Sequence, residues 1–593
     1  MSRNNHPLMV GTSPVYGKHN LSHRHLTTLD VGRIQVMALQ ECVTNDQLSC
    51  NLKQVVTCAP NMSPLQGKFI MHTAAFFVRN RIVMKDWSKY RSGLSNVNIP
   101  HFNLDDVTTY FADQSSNSDQ RSHMSAFGIN PRSRYLTKDT STGAARSMMA
   151  SLIPFRAYRR IWWDWFRNSM TIPDTQESSY LFTDNANEAI SNYYNPHYAN
   201  WEKDFMSNYL QRPNGDSGST ACSSTTADRL NKMGASINAG GVVGPNPLDY
   251  SNIYSRSTAT NNNGNVNAST LTGSTGTTIQ SLRTALGLQA VIEKMSALGG
   301  RLKDRLKGMF GSSVSYETLG MSELLGYNEY EVHFDNESAP VGTASPDADF
   351  NAFGTTDPLL GTIKGQSTGK TSMTENGLSN VNYHCTEDGY FIVLSWLTPD
   401  CMLSKGLDAH WLRGIDGLAP SRFDFLTDEF VGKGFDPVHA YELSDTPLQI
   451  SDLKTYDPFK CVGFNAKYHN YTYHHDIISG DFVSPMTYVS MRPWYLERDV
   501  LKEQNVVDVN GDLKTGKTGT DVNNAVSFSN LQGLNAVTRH AYDANFMYTD
   551  SLVDHFVVQN KCELIMTRRL PSAPRVDMLT QSPVETGIGG TRL

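Results

Sequence analysis

Strand-forming residues gather at the two ends of this chain and leave its middle to helices and a polar spacer, and that distribution limits the folds open to it. From Arg33 onward, Ile34, Val36 and Ala38 alternate with Arg33, Gln35 and Met37 in a rough period of two, the repeat of a strand. Leu52–Cys58 and Lys68–Met84 continue the signal, and the β-branched and aromatic residues of FIMHTAAFFVRNRIVM suit a half-buried sheet. The signal returns after Tyr327, in Glu329–Phe334, Gly389–Leu397, Phe464–Tyr473, Phe482–Met491 and Phe556–Thr567. One sheet system built from both ends requires N-terminal strands to pair with C-terminal ones, the connectivity of Greek-key and jelly-roll sandwiches. The expected fold is therefore mainly β and antiparallel, with long loop and helical insertions. No internal repeat is present.

The middle is divided by composition. Ser92–Asn130 reads as loop, rich in Gly, Asn, Asp and Ser. In SLIPFRAYRRIWWDWFRNSM (Ser151–Met170), Pro154 suits the first turn of a helix. Phe155, Tyr158, Trp162, Trp165 and Phe166 then share one face, and Arg156, Arg160 and Asp164 the other. That helix needs a core on one side and a partner on the other. Residues 174–213 are aromatic without a clean period, and residues 214–280 are dominated by Gly, Ser, Thr and Asn, a composition that cannot bury enough to fold alone. Leu282–Phe310 is amphipathic, interrupted at Gly299-Gly300 and basic in its second half. The expected organisation is an N-terminal arm over 1–32, a framework over 33–173 and 311–593, and an insertion over 174–310 that contains the 214–280 spacer and a 282–310 helix.

Bulk properties exclude several classes. A net charge of −7 over 593 residues does not suit a protein that coats nucleic acid by general attraction, so any such contact is local. The opening residues lack the apolar core of a secretory signal, and no run reaches the roughly eighteen apolar residues of a membrane span. No membrane insertion is expected. The eight cysteines are scattered without a Cys-x-x-Cys pair, so they read as reduced, buried thiols made in a cytoplasm.

Strings with catalytic spacing lack the required context. GDLKTGKT (Gly511–Thr518) fits a phosphate-binding loop, but the turn-like TGTDVNN follows where a helix must start. GQSTG (Gly365–Gly369) fits a nucleophile elbow but lies in a polar linker. His23 and His25, or His474-His475-Asp476, supply too few convergent ligands for a metal. The carboxylate pairs Asp105-Asp106, Glu387-Asp388 and Asp428-Glu429 read as solvated loop residues. No enzymatic activity and no cofactor are expected.

Two features point to interaction. Trp163 falls off the apolar face and lies in an i,i+4 column with Arg159 and Arg167, an indole flanked by two guanidinium groups. Such a column serves as an internal cation–π stack, an anchor of a subunit interface, or a stacking platform for single-stranded DNA. Among the basic clusters, Arg301, Lys303, Arg305 and Lys307 mark the second helix and Arg568-Arg569 end the last strand. The N-terminal residues Arg3, Lys18, Arg24 and Arg33 are the preferred DNA-facing set, because an extended basic arm reaches phosphates without a pocket.

Seven segments carry a resemblance, in one order along most of the chain: His19–Ile34, Phe76–Trp87, Ser151–Met170, Lys203–Pro213, Leu282–Gly311, Glu387–Asp400 and Phe464–Gly480. The PFRAYRRIWWDWFRN core of the third is the plainest. Together they resemble the major capsid proteins of microviruses, above all the gokushovirus-like branch. The resemblance implies an eight-stranded antiparallel jelly roll of viral coat type that tiles a T=1 icosahedral shell around a single-stranded DNA phage genome. It implies as partners further copies of the chain, a DNA pilot protein, a small basic DNA-binding protein, an internal scaffolding protein and a host cell-surface receptor. It also implies assembly in the bacterial cytoplasm and residence in the virion. Residues 214–280 have no counterpart in those motifs but fall where that branch carries an outward threefold protrusion. On the residues alone, a β-sandwich receptor- or carbohydrate-binding appendage protein and a jelly-roll glycosidase remain as other classes, the latter needing two carboxylates converging in a cleft.

Overall fold

A computed structural model describes, with short gaps, residues 15–201, 302–338 and 367–412, shorter segments between 435 and 546, and residues 554–570. Nine strands make its framework: β1 (Val15–Asn20), β2 (His23–Leu29), β3 (Gln35–Cys42), β4 (Gln47–Cys58), β5 (Lys68–Arg79), β6 (Glu323–Val332), β7 (Val381–His384), β8 (Gly389–Asp400) and β9 (Phe556–Leu570). They form two antiparallel sheets. In the first, β9 lies between β4 and the N-terminal strands, with β7 on the far edge of β4; in the second the order is β6-β5-β8-β3. The two ends of the chain are thus joined by backbone hydrogen bonds, as the distribution of strand signal requires. β1 pairs with the second half of β9, from Val15 opposite Leu570 to Asn20 opposite Ile565. β2 pairs with its first half, from His23 opposite Cys562 to Leu29 opposite Phe556.

Burial along the strands explains how the sheets stack. In β4 and in the described side chains of β9, inward and outward residues alternate: Phe556, Val558, Cys562, Leu564 and Met566 are buried, while Val557, Gln559 and Lys561 are exposed. One face of that sheet therefore meets the core and the other does not. In β5 and β8 nearly every residue is buried. Phe69, Met71, Ala75 and Phe77 join Phe391, Val393 and Leu397 in the core shared with the first sheet. Ala74, Phe76 and Val78 join Ile392 and Leu394 in a second core on the opposite face. The half-buried sheet expected over Lys68–Met84 is instead a middle layer covered on both sides, and its strand stops at Arg79, followed by a helical turn at Asn80–Val83.

The second face is covered by the aromatic helix. α3 (Ile153–Ile161), so numbered after α1 (Leu104–Tyr110) and α2 (Ser118–Ala126), sets Ile153, Ala157, Tyr158 and Ile161 on the sheet. Pro154 stands in its first turn. The helix then widens into a π-helical turn, Trp162–Phe166, closed by the Arg167 N–H donating to the Trp162 carbonyl at 2.9 Å, five residues back. α1 and α2 fall inside Ser92–Asn130, which read as loop: their helices are held by a third cluster around Phe102, Val107, Met124 and Phe155, a tertiary gain that local composition does not display.

Other expectations need correction. Phe464–Tyr473 is not one strand: Cys461–Ala466 is a strand and His469–Thr472 a helical turn. Phe482–Met491 begins at the end of a 3-10 turn, Gly480–Val483, and its remainder lies outside the described residues. The described part of the Leu282–Phe310 helix is α4 (Leu302–Phe310). The described part of the extended N-terminal arm is taken up by β1 and β2, both hydrogen-bonded along β9. The chain turns from β2 to β3 through Gly32 at φ +78°, where a Cβ would lie 2.0 Å from the Val537 carbonyl oxygen, so glycine is required there.

Candidate functional site

The Arg159–Trp163–Arg167 column is buried within the subunit, each member at most 5% exposed. It is also not a single stack. Arg167 lies over the Trp163 ring at 4.1 Å, and the indole also stacks on Tyr180 with ring centres 5.2 Å apart. Arg159 turns away and lies over Tyr180 at 4.4 Å, Tyr193 at 5.0 Å and Phe182 at 5.4 Å. The i,i+4 contact expected of the column is thus kept by Trp163 and Arg167, across the π turn, while the rings of Tyr180, Phe182 and Tyr193 take the Arg159 guanidinium.

The polar face of the helix finds its partners inside as well. Arg156 donates to the carbonyls of Val83 and Asp184, at 3.2 and 2.6 Å, and pairs with Glu188. Asp164 accepts from the Ser322 N–H at 2.8 Å, the Ser322 hydroxyl at 2.9 Å and Arg160 Nε at 2.9 Å. This carboxylate clamps the start of β6 to the π turn across a long stretch of sequence. No local pattern announces it, because Ser322 lies far along the chain.

Of the basic N-terminal set, Arg3 lies outside the described residues, and Lys18 and Arg24 are exposed on β1 and β2. Arg33 does not face outward. It is 1% exposed, with Nη1 donating to Asp119 at 2.7 Å and to Asp554 Oδ1 at 2.9 Å, and Nη2 donating to Asp554 Oδ2 at 2.7 Å and to the Thr28 carbonyl at 2.9 Å. The nearby carboxylates outweigh burial and raise its pKa further above the usual arginine value. It ties β3, α2 and the entrance to β9 together, the opposite of a DNA-facing role.

Sequence order concealed a row of cations that the sheet assembles. Arg24 on β2 is opposite Lys561 on β9, and Lys561 is opposite Lys53 on β4. All three are exposed on the outer face of the first sheet. Neighbouring strands set such residues about 5 Å apart. Leu26 and Val557 are exposed on the same two strands. Within this row Lys561 also donates to Glu563 at 2.7 Å, and at the end of β9 Arg568 donates to Asp46 from Nε at 2.9 Å and Nη2 at 2.8 Å.

The remaining candidates do not converge. His23 and His25 each place Nδ1 beside a backbone carbonyl, of Leu21 and Met37. His474 and His475 both face Asp408, at 3.4 and 2.5 Å. Asp388 accepts from the Thr44 backbone and hydroxyl and pairs with Arg91, while Glu387 pairs with Arg81. Asp428 and Glu429 lie outside the described residues. Ser367 of the Gly-x-Ser-x-Gly string opens a strand, Ser367–Thr371, paired antiparallel with Phe334–Ser338, which is not an elbow. Within Gly511–Thr518, Leu513–Lys514 pairs with Val506–Val507 and the rest lies outside the described residues. No described helix is long and apolar enough to cross a membrane.

Two antiparallel sheets packed face to face on a shared core define a β-sandwich protein. The family model for phage capsid protein (F protein) matches residues 10–508, and the chain belongs to that family. It is 22% identical over 557 residues to capsid protein VP1 of Chlamydia phage 1, covering 81% of this chain and 86% of that protein. It is 24% identical over 471 residues to capsid protein VP1 of Spiroplasma virus 4, covering 74% and 76%. The resemblance read from the motifs is therefore correct: this is a capsid protein of microvirus type, a virion component with a structural rather than an enzymatic role.

Proposed function

We propose that this chain is the repeating tile of a T=1 icosahedral shell enclosing a single-stranded DNA phage genome, and that its framework is an eight-stranded jelly roll. The strand order carries the reading. With β1 and β2 counted as two halves of one strand along β9, the first strand pairs with the eighth, the second with the seventh, the third with the sixth and the fourth with the fifth. That is a long hairpin rolled into two sheets, the jelly-roll order. A shell tile needs this rigidity, and it needs contact surface outside the framework. Trp411, Tyr471 and Ile477 are each more than half exposed in one subunit, as residues awaiting a neighbouring copy would be.

Local DNA contact falls to the outer face of the first sheet. Lys18 and Arg24 belong to it, and the Arg24–Lys561–Lys53 row supports the assignment, because phosphates are bound by positive charge without sequence reading. The acidic total of the chain fits a division of labour in which a small basic DNA-binding protein supplies most of the neutralising charge. Residues 214–280, outside the described residues, are assigned to an outward threefold protrusion that meets the host surface. A DNA pilot protein and an internal scaffolding protein complete the partners, with assembly in the bacterial cytoplasm. The test is electron microscopy and size-exclusion chromatography of the purified chain, alone and with a co-expressed scaffolding protein. Closed particles are expected; a monomer or trimer under every condition favours an appendage protein and overturns the assignment.

A further inference from the structure

We propose that the cavity beside Arg159 holds one small inorganic anion, chloride by size, as the counter-ion of that guanidinium. The cavity, about 10 Å³ of space open to a water-sized particle, is lined by His123, Phe155, Tyr158, Arg159, Tyr193 and His197, among others. The neighbouring arginines have carboxylates: Arg156 has Glu188, Arg160 has Asp164 and Glu177, and Arg33 has Asp119 and Asp554. Arg159 is as deeply buried, yet its Nε and Nη1 have no hydrogen-bond partner among the described residues. Its three aromatic neighbours attract a cation, but ring contacts of this kind offset only part of the cost of taking a full charge out of water.

Two of the residues lining the same cavity carry further unpartnered polar atoms, Nδ1 of His123 and Nδ1 of His197. Burial and the charge of Arg33 hold the pKa of His123 down at about 3, and burial with the charge of Arg159 holds that of His197 well below its ordinary value. Both rings are neutral at pH 7. His197 Nε2 lies 2.7 Å from the Tyr180 hydroxyl. With Tyr180 donating there, the single ring proton of His197 sits on Nδ1, which leaves this lining residue a donor without a partner among the described residues. A guanidinium and an imidazole N–H on a small, partly aromatic cavity form an anion site. The open volume fits one water-sized particle, which selects a monatomic anion over a phosphate.

Bromide replaces chloride and scatters anomalously, so the test is crystals of the full chain soaked in sodium bromide. A bromine peak within hydrogen-bonding distance of Arg159 is expected; water alone in that position overturns the proposal. In solution, the unfolding midpoint of the wild type should be about 2–4 °C higher in sodium chloride than in sodium gluconate at equal ionic strength. Arg159→Met should abolish that difference, and an undiminished halide effect in the variant overturns the assignment. If the variant does not fold, the bromide map of the wild type decides alone.

Discussion

Replacing Arg33 removes the point where three distant parts of the chain are tied. Its guanidinium is 1% exposed and holds Asp554 and Asp119, whose side chains are 8% and 20% exposed. Arg33→Ala leaves both carboxylates facing each other in a low-dielectric site without their cation. Removing one member of a buried ion pair costs about 3–5 kcal/mol, most of it from the stranded partner. At about 2 cal/mol/K of unfolding entropy per residue over a cooperative unit of roughly 300 residues, that is a midpoint drop of about 5–8 °C. Calorimetry of the unassembled subunit measures it. Arg33→Ala/Asp554→Asn should recover part of the loss, because the stranded charge is gone, and the departure from additivity reports the coupling. If Arg33→Ala melts within about 1 °C of the wild type, or the double variant is no better than the sum of the singles, the reasoning about a buried charge knot is wrong.

Two other side chains invite the same kind of test. Trp163→Ala empties the slot between Arg167 and Tyr180 and should destabilise the subunit by about 3–5 kcal/mol, read by thermal melting, with Trp163→Phe intermediate; an unchanged midpoint with lost genome retention would move Trp163 to a DNA-contacting role. His72 is held by burial at a pKa of about 4, down from 6.5, between Tyr327 and Thr398. A depressed histidine binds fewer protons folded than unfolded, so its contribution is complete above pH 6.5 and is lost as pH falls through 6.5 toward 4. His72→Gln should flatten the pH dependence of the midpoint across that window, and an unaltered acid limb would exclude this imidazole as its source.

Gln54 shows how register is fixed between the sheets. Its amide donates to Ser395 at 3.0 Å and Asn560 at 2.8 Å and accepts from Thr73 at 2.6 Å, joining four strands inside an otherwise apolar core. A slip of one residue in any of these strands would bury an unpaired amide or hydroxyl at about 1–3 kcal/mol each.

What the sequence determined by itself was whatever depends on local period and composition. The strand signal at both ends, the helix after Pro154 and the need to join the two ends of the chain are consequences of side-chain spacing and type, and so were readable; that β5 is covered on both faces was not, because the second cover comes from the aromatic helix. Its motif order also placed the chain in the capsid family. Only the tertiary structure decided which charges are spent internally. Lys18 and Arg33 look alike in a basic N-terminal stretch, yet one is exposed on a sheet face and the other meets Asp554 more than five hundred residues away. Arg24 gains Lys561 and Lys53 as neighbours for the same reason: cross-strand proximity is set by register, which sequence distance does not encode. The aromatic column splits because Arg159, in the α-helical part, meets Tyr180, Phe182 and Tyr193 from later in the chain, while Arg167 keeps its contact with Trp163 across the π turn. Helical spacing limits which side chains can meet, and here aromatic residues supplied by another segment decided which of them did.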